Sequence, residues 1–391
     1  MTPKKFLPAA AVVLGIGVSP ALSADLPIAP EPIDYVRICD SYGARFFYIP
    51  GTETCLRIGG RVRADYRFAN FGDVGSQWDS KADQSFQFRS RAYVYLDSRT
   101  QTELGLLRTY TQLYATYTTG NNIADVNATI ETAFVQLGGF TFGTTDSFWD
   151  FWTGYSLNAQ IETYSDRDTT LLGYSASFGN GVSASIALED FSGRQATLLS
   201  PVVNGYGGQT WPDLVAKMQI DQSWGSAQLM GALHHVRFAD NTADGELGWA
   251  IGAGVEIKAN AISNGTKVAL QGAYTDGASV YGTTVWNGWI TDAIFDGVTT
   301  RTTKTWNIFG GISQDFGDVT LALDAGYHNA DAGTAARDFT QWDLSGGLIW
   351  SPVPGLDIGA EIQYRDLDFD AASGLADGNQ IYGTFRVQRT F

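Results

Sequence analysis

The chain is short of methionine (3), cysteine (2), histidine (3) and proline (11) among its 391 residues. Beyond residue 24 it also has no apolar run near the roughly 20 residues that a membrane-spanning helix needs. Each shortage excludes something. The three histidines, His234, His235 and His328, sit in no H-E-x-x-H or nucleophile-elbow setting, so zinc-dependent and hydrolytic chemistry have no motif to rest on. Adjacent His234 and His235 would point to opposite faces of a strand and could not share a site. Basic residues are the minority, 25 against 41 acidic ones for a formal charge of −16, which argues against nucleic acid as a partner. No low-complexity tract or linker-like run divides the sequence. What it has in quantity is glycine (45) and aromatic residues (13%), a composition of many strands joined by tight turns.

At the N-terminus Lys4 and Lys5 precede an apolar run over residues 6–18, followed by Ser19, Pro20 and the small-residue stretch 21–24. This is the layout of a secretory signal, assigned to residues 1–23. Residues 24–55 then form an N-terminal periplasmic segment, and residues 56–391 a single transmembrane domain. Cys39 and Cys55 both lie in the exported part, where an oxidising compartment favours a disulfide over a reactive or metal-binding pair. Without an apolar helix, an exported chain that crosses a membrane must do so as a closed barrel, the only other fold that satisfies every backbone group in lipid.

Residues 56–68 sort by parity. One face carries Leu56, Ile58, Gly60, Val62, Ala64, Tyr66 and Phe68; the other carries Arg57, Gly59, Arg61, Arg63, Asp65 and Arg67. Side chains alternate across a strand, so this is a strand between an apolar medium and a very polar one. Its length exceeds the usual 5 to 6 residues of a globular strand and suits a tilted crossing of about 9 to 11. Similar runs follow at 85–97, 104–116, 129–138, 140–146, 169–178, 182–190, 213–222, 226–237, 248–258, 267–275, 305–315, 319–328, 340–350, 356–366 and 379–391. With the first they number sixteen, an even count that closes an antiparallel barrel with both ends on one side. Short turns (179–181, 223–225, 317–318, 351–355) alternate with long polar loops (191–212, 276–304, 329–339), as periplasmic turns and outer loops do. Trp342 and Trp350 bracket one strand, and Trp249 and Trp306 sit at the ends of others, the girdle that headgroup interfaces select. The expected fold is therefore all-β, a 16-stranded antiparallel transmembrane β-barrel with an inward-folded constriction loop.

A barrel of that size encloses water, so transport is the natural function. Arg61, Arg63, Arg67, Arg89, Arg91 and Arg108 all fall on the polar side of the first three strands and would share one patch of pore wall. The segment 147–167 is aromatic, and it is acidic at Asp150 and Glu162, with Asp146, Asp166 and Asp168 at its edges. We expect it to fold into the lumen and set its carboxylates across a narrow opening from the arginines, filtering solutes by size and sign. The alternative is a loop lying outside with solvated rim acids. A second alternative is a sugar-specific channel with Trp149 and Trp152 as a stacking slide, and a third is an exported soluble β-sandwich. Acidic stretches such as 366–377 lack ligand spacing, so no metal or cofactor is expected. The overall acidity suggests cation preference, which the inward arginines oppose.

The segment Tyr35-Val36-Arg37-Ile38-Cys39-Asp40, then Gly43, then Phe46-Phe47-Tyr48-Ile49-Pro50-Gly51-Thr52-Glu53-Thr54-Cys55-Leu56-Arg57-Ile58-Gly59-Gly60, resembles the start of alphaproteobacterial general porins. So do Arg99-Thr100-Gln101-Thr102-Glu103, Phe142-Gly143-Thr144-Thr145-Asp146-Ser147-Phe148 and the ending Arg386-Val387-Gln388-Arg389-Thr390-Phe391. The resemblance spans essentially the whole exported chain. It implies a homotrimeric outer-membrane porin, in contact with outer-membrane lipid and passing small hydrophilic solutes and ions, whose third outer loop constricts the pore. Phe391, with Val387 and Phe385 on its parity, resembles the signal read by the barrel-assembly machinery; Arg389 departs from the apolar pattern there.

Overall fold

The computed structural model describes residues 37–119, 125–208, 210–283 and 289–391, so the signal assigned to residues 1–23 lies outside the described residues. Sixteen long strands follow one another as antiparallel neighbours. The first seven are β1 (Cys55–Phe68), β2 (Phe86–Thr102), β3 (Gly105–Thr118), β4 (Asp125–Leu137), β5 (Phe140–Asp146), β6 (Asp168–Gly179) and β7 (Val182–Glu189). After a long connection come β8 (Asp213–Gln222), β9 (Gly225–Val236), β10 (Glu246–Lys258) and β11 (Thr266–Asp276). The last five are β12 (Lys304–Phe316), β13 (Val319–Asp331), β14 (Phe339–Val353), β15 (Leu356–Phe369) and β16 (Gly378–Thr390). The sheet closes because β16 pairs with both β15 and β1, in a register running from Arg61 opposite Thr390 to Phe68 opposite Gly383. Closure leaves no edge with unpaired backbone groups, the condition for a β structure in lipid.

The alternation read in the sequence becomes a wall with two media. On β1, Ile58 and Val62 are more than half exposed, whereas inward Asp65 is 1% exposed. Outward apolar residues of this kind recur around the barrel and form a band too extensive for an aqueous surface. Near the long-loop end, Trp249, Tyr274, Trp306, Tyr327 and Trp342 come from five consecutive strands, β10 to β14, with neighbouring ring centroids 4.7–5.5 Å apart in the pairs Trp249–Tyr274, Trp306–Tyr327 and Tyr327–Trp342. This is an interfacial belt built by register, not by chance placement of single indoles.

Several strands run past the lengths read from the sequence. β2 continues to Thr102 because residues 98–102 stay paired with β3 down to the turn. The two longest connections also carry structure of their own: Thr197–Leu199, Thr291–Phe295 and Thr300–Thr302 form a small sheet, with the first pair parallel. No local alternation announces it, since its strands are short and about ninety positions apart. Beneath it the His234 ring is fully buried, its Nδ1 2.9 Å from Asp213 and its Nε2 2.9 Å from the Tyr206 hydroxyl, which donates to Asp292 at 2.6 Å. Tyr281 donates to Oδ2 of the same Asp213 at 2.6 Å. Side chains from two strands, β8 and β9, and both loops thus hold the outer connections down onto the inner wall.

At the short-turn end, residues 38–55 form a knob closed by a Cys39–Cys55 disulfide, with Cα atoms 6.0 Å apart. Both cysteines are buried in one cluster with Phe46. The chain's last residue sits on the β1 seam: Phe391 exchanges backbone hydrogen bonds of 3.0 Å with Gly60 in both directions. Its ring lies over Gly60, where an added Cβ would come within 2.7 Å of it. Gly60 is therefore the space that the terminal ring occupies. A Gly60→Val substitution is expected to destabilise the folded barrel by about 1–3 kcal/mol through overpacking at this seam, measured by urea unfolding in detergent against the heat-modifiable mobility of the folded band.

Candidate functional site

Residues 147–167 leave β5, enter the barrel and travel along the inner face of the far wall, where every second strand offers a polar side chain to the loop backbone. Glu189 of β7 accepts from the Ser147 hydroxyl at 2.7 Å and the Phe148 amide at 2.8 Å. Gln228 of β9 donates to the Trp149 carbonyl at 3.1 Å, and Gln271 of β11 to that of Trp152 at 2.7 Å. Asp324 of β13 accepts the amides of Tyr155 and Ser156 at 3.0 and 2.7 Å, and Glu361 of β15 those of Asn158 and Ala159 at 2.7 and 3.0 Å. Gln363 of β15 closes both a donor and an acceptor bond to Ile161, each within 3.0 Å. An irregular segment cannot satisfy its own backbone, and here the wall satisfies it residue by residue.

The rings of the segment settle into notches. Phe151 lies over Gly254 and Trp152 over Gly311, where a Cβ would meet the indole at 2.7 Å. Trp149 is fully buried against Tyr281, with centroids 5.1 Å apart, and Trp152 against Phe309 at 4.8 Å. Buried indoles cannot serve as a sugar slide, which removes the observation behind the sugar-channel alternative. Asp150 also differs from expectation. It does not face the arginines; burial raises its carboxyl above the ordinary range, and it pairs with Arg194 at 2.6 Å. Arg194, itself 2% exposed, comes from the connection after β7 and also donates to the Tyr164 carbonyl at 2.7 Å, so Asp150 is a strut between two loops.

The near wall keeps its charges. Two buried aspartates gather part of the arginine set: Asp65 takes Arg386 at 2.7 Å and Arg89, and Asp97 takes Arg99 at 2.8 Å, Arg108 at 3.0 Å and Arg57 at 3.3 Å. Arg108 therefore belongs to a separate group nearer the short turns, because its strand is read from that end, and not to the main patch. Arg67 donates to the Ala159 carbonyl, tying the loop back to β1. Arg61, Arg63 and Arg91 have no carboxylate partner among the described residues. Their guanidinium carbons lie 3.8, 5.8 and 5.9 Å from the centroid of one ring, Tyr93, and Arg91 also stacks on Tyr114 at 4.2 Å.

These three border an open space of about 820 Å³ together with Glu162, Asp166 and Asp168 at the root of the loop. A second space of about 690 Å³, lined by Asp146, Lys217 and Arg108, shares Glu131, Asp166 and Asp168 with it. Burial, with Glu162 close by, pushes the Asp166 carboxyl up to about 6. Asp146 and Asp168 are register partners where the loop begins and ends. Of the wall residues, Arg386 was legible only as an inward parity position beside Phe385. Arg194 and the amides and acids that hold the loop look like any lumen-facing polar residue in sequence.

A family model described as a porin subfamily matches residues 25–385. Porin Omp2b of Brucella neotomae is 30% identical over 396 residues, covering 96% of each chain. Among solved structures, the outer membrane channel DcaP of Acinetobacter baumannii superposes with a TM-score of 0.70 at 16% identity, over 88% of this chain and 99% of that one. A trimer form of OmpT, an outer membrane protein of Vibrio cholerae, gives 0.51 at 10% identity, over 87% and 100%.

Removing one partner of a buried ion pair leaves an uncompensated charge, at a cost of about 3–5 kcal/mol. Arg194→Gln is accordingly expected to release the inward segment, seen as new protease cleavage within 147–167 of the detergent-folded protein and as a noisier, larger single-channel conductance.

Proposed function

Because the chain belongs to this porin subfamily and is an outer-membrane channel, we propose that small hydrophilic solutes and ions diffuse passively through the gap between the arginine-bearing wall and the root of the inward segment. The observation that carries the reading is the open space bordered by Arg61, Arg63 and Arg91 on one side and Glu162, Asp166 and Asp168 on the other. Charged groups left without partners keep a field in the opening, and that field acts on whatever passes. Arg67, Arg89 and Arg386 are anchored beside the open three and add to the positive side, while Arg108 acts farther along the path.

The functional unit in this reading is a homotrimer surrounded by outer-membrane lipid, with the disulfide-closed knob on the periplasmic side and Phe391 read by the assembly machinery during insertion. It is transport without catalysis. Fully enclosed His234 supports that part as a structural group between loops.

Replacing Arg61, Arg63 and Arg91 together by Gln is expected to move the reversal potential in a salt gradient toward cation selectivity; an unchanged value would remove them from the path. The pH dependence has the opposite sign. As pH falls through about 6, Asp166 takes up a proton and the loop side loses negative charge, so selectivity shifts toward anions. Asp166→Asn is expected to reduce that step in reversal potentials recorded between pH 7.5 and 5.

A further inference from the structure

Unpaired charges of opposite sign border a single space in this channel. Arg61, Arg63 and Arg91 stand on the β1–β2 wall, and Glu162, Asp166 and Asp168 stand at the root of the inward segment. None of the six has an ion-pair partner among the described residues, although all line the same 820 Å³, which Glu131 of β4 also borders from the arginine side; Asp168 shares a side-chain hydrogen bond with Asp146. At Asp65, Asp97 and Asp343 lumen charges are neutralised at contact distance, the last holding Arg365 at 2.7 Å. Among the described residues these arginines and loop carboxylates do not reach ion-pair distance of one another, and a solute can bridge them.

Resting on the channel reading above, we propose that this gap is a subsite for small amino-carboxylates, solutes whose carboxylate meets the arginines while their ammonium meets the loop carboxylates. Stacking on Tyr93 and Tyr114 occupies the flat faces of Arg61 and Arg91, and it leaves the N–H edges, which pair with carboxylates, directed to other partners. Arg63 and Arg91 are further fixed by bonds of 2.9 Å to Gln388 and Thr116. A guanidinium held in this way loses less freedom when it binds.

Each wall alone holds a single-charge ion weakly, because both face water. A solute carrying both charges makes its second contact within the same encounter, at high effective concentration. Such a solute is neutral overall, so the chain's net charge of −16 does not repel it. The acids of the far wall do not compete, since Glu189, Asp324 and Glu361 already accept backbone or hydroxyl hydrogens from the loop. Arg167 also borders the space, beside Asp166, and limits how strongly the loop side can hold simple cations.

The test is the potassium chloride current of the full-length folded protein in a planar bilayer at pH 7.5, titrated with glycine, 4-aminobutyrate and 6-aminohexanoate. Acetate and methylammonium serve as single-charge controls. The expected result is a saturable fall in current with one best chain length, and no saturation with either control. Arg61→Gln, Asp166→Asn and Glu162→Gln should each raise the half-blocking concentration about tenfold, the effect of losing one charge-assisted contact. Arg301→Gln, which removes the same charge from the exposed outer loops, should leave it unchanged. An open channel whose current shows no saturation, or is blocked equally by acetate, would overturn the subsite alone. A silent bilayer from verified folded protein would overturn the channel reading beneath it.

Discussion

The inner wall from β7 to β15 holds the backbone of the inward segment, and the remaining features of the pore follow from that attachment. A strand-free stretch inside a water-filled barrel has amides and carbonyls that no neighbouring strand can satisfy. Glu189, Gln228, Gln271, Asp324, Glu361 and Gln363 satisfy them in turn, from every second strand. The segment therefore follows the wall closely and its aromatic rings fall on glycines, where no Cβ intervenes. Outer loops then lock it from above through Arg194 and Asp150.

This attachment also divides the charges. Carboxylates on the far wall are engaged by backbone donors and stay out of the permeation path. On the near wall the arginines outnumber the aspartates that could neutralise them, and the three around Tyr93 remain open to the lumen. A chain that is strongly acidic as a whole can thus carry a locally basic pore wall, because the field at the opening depends on which charges are left unpaired there and not on the total. Of the acids that reach the opening, Glu162, Asp166 and Asp168 belong to the root of the loop and face the arginines from the other side, and Glu131 stands on β4.

The barrel was readable because its rule is local. Alternation in residues 56–68 assigns every side chain to lipid or lumen without knowledge of any partner, and the same holds for the other strands. The aromatic belt followed from tryptophans at strand ends. The inward direction of 147–167 was expected from its aromatic and acidic content, but its anchors were not, since Gln271 or Asp324 differs in no way from an ordinary lumen residue until a loop reaches it. Asp150 was misplaced for the same reason: its partner, Arg194, lies forty-four positions away on another loop. Arg108 was grouped with the wrong arginines because parity gives the face of a strand and not the height along it. The parallel pairing of Thr197–Leu199 with Thr291–Phe295 is likewise a long-range event with no local signature.

The position of the inward segment is the claim on which the pore depends, and a cross-link tests it most directly. Ser156 approaches β14 so closely that a Cβ built on Gly347 would lie 3.5 Å from its own Cβ, within the spacing a disulfide spans. In a Ser156→Cys, Gly347→Cys variant exported to an oxidising compartment, the two thiols should join in the folded barrel and leave the single-channel conductance unaltered. Two free, alkylatable thiols in an otherwise folded and conducting barrel would place the segment elsewhere and contradict the constriction described here.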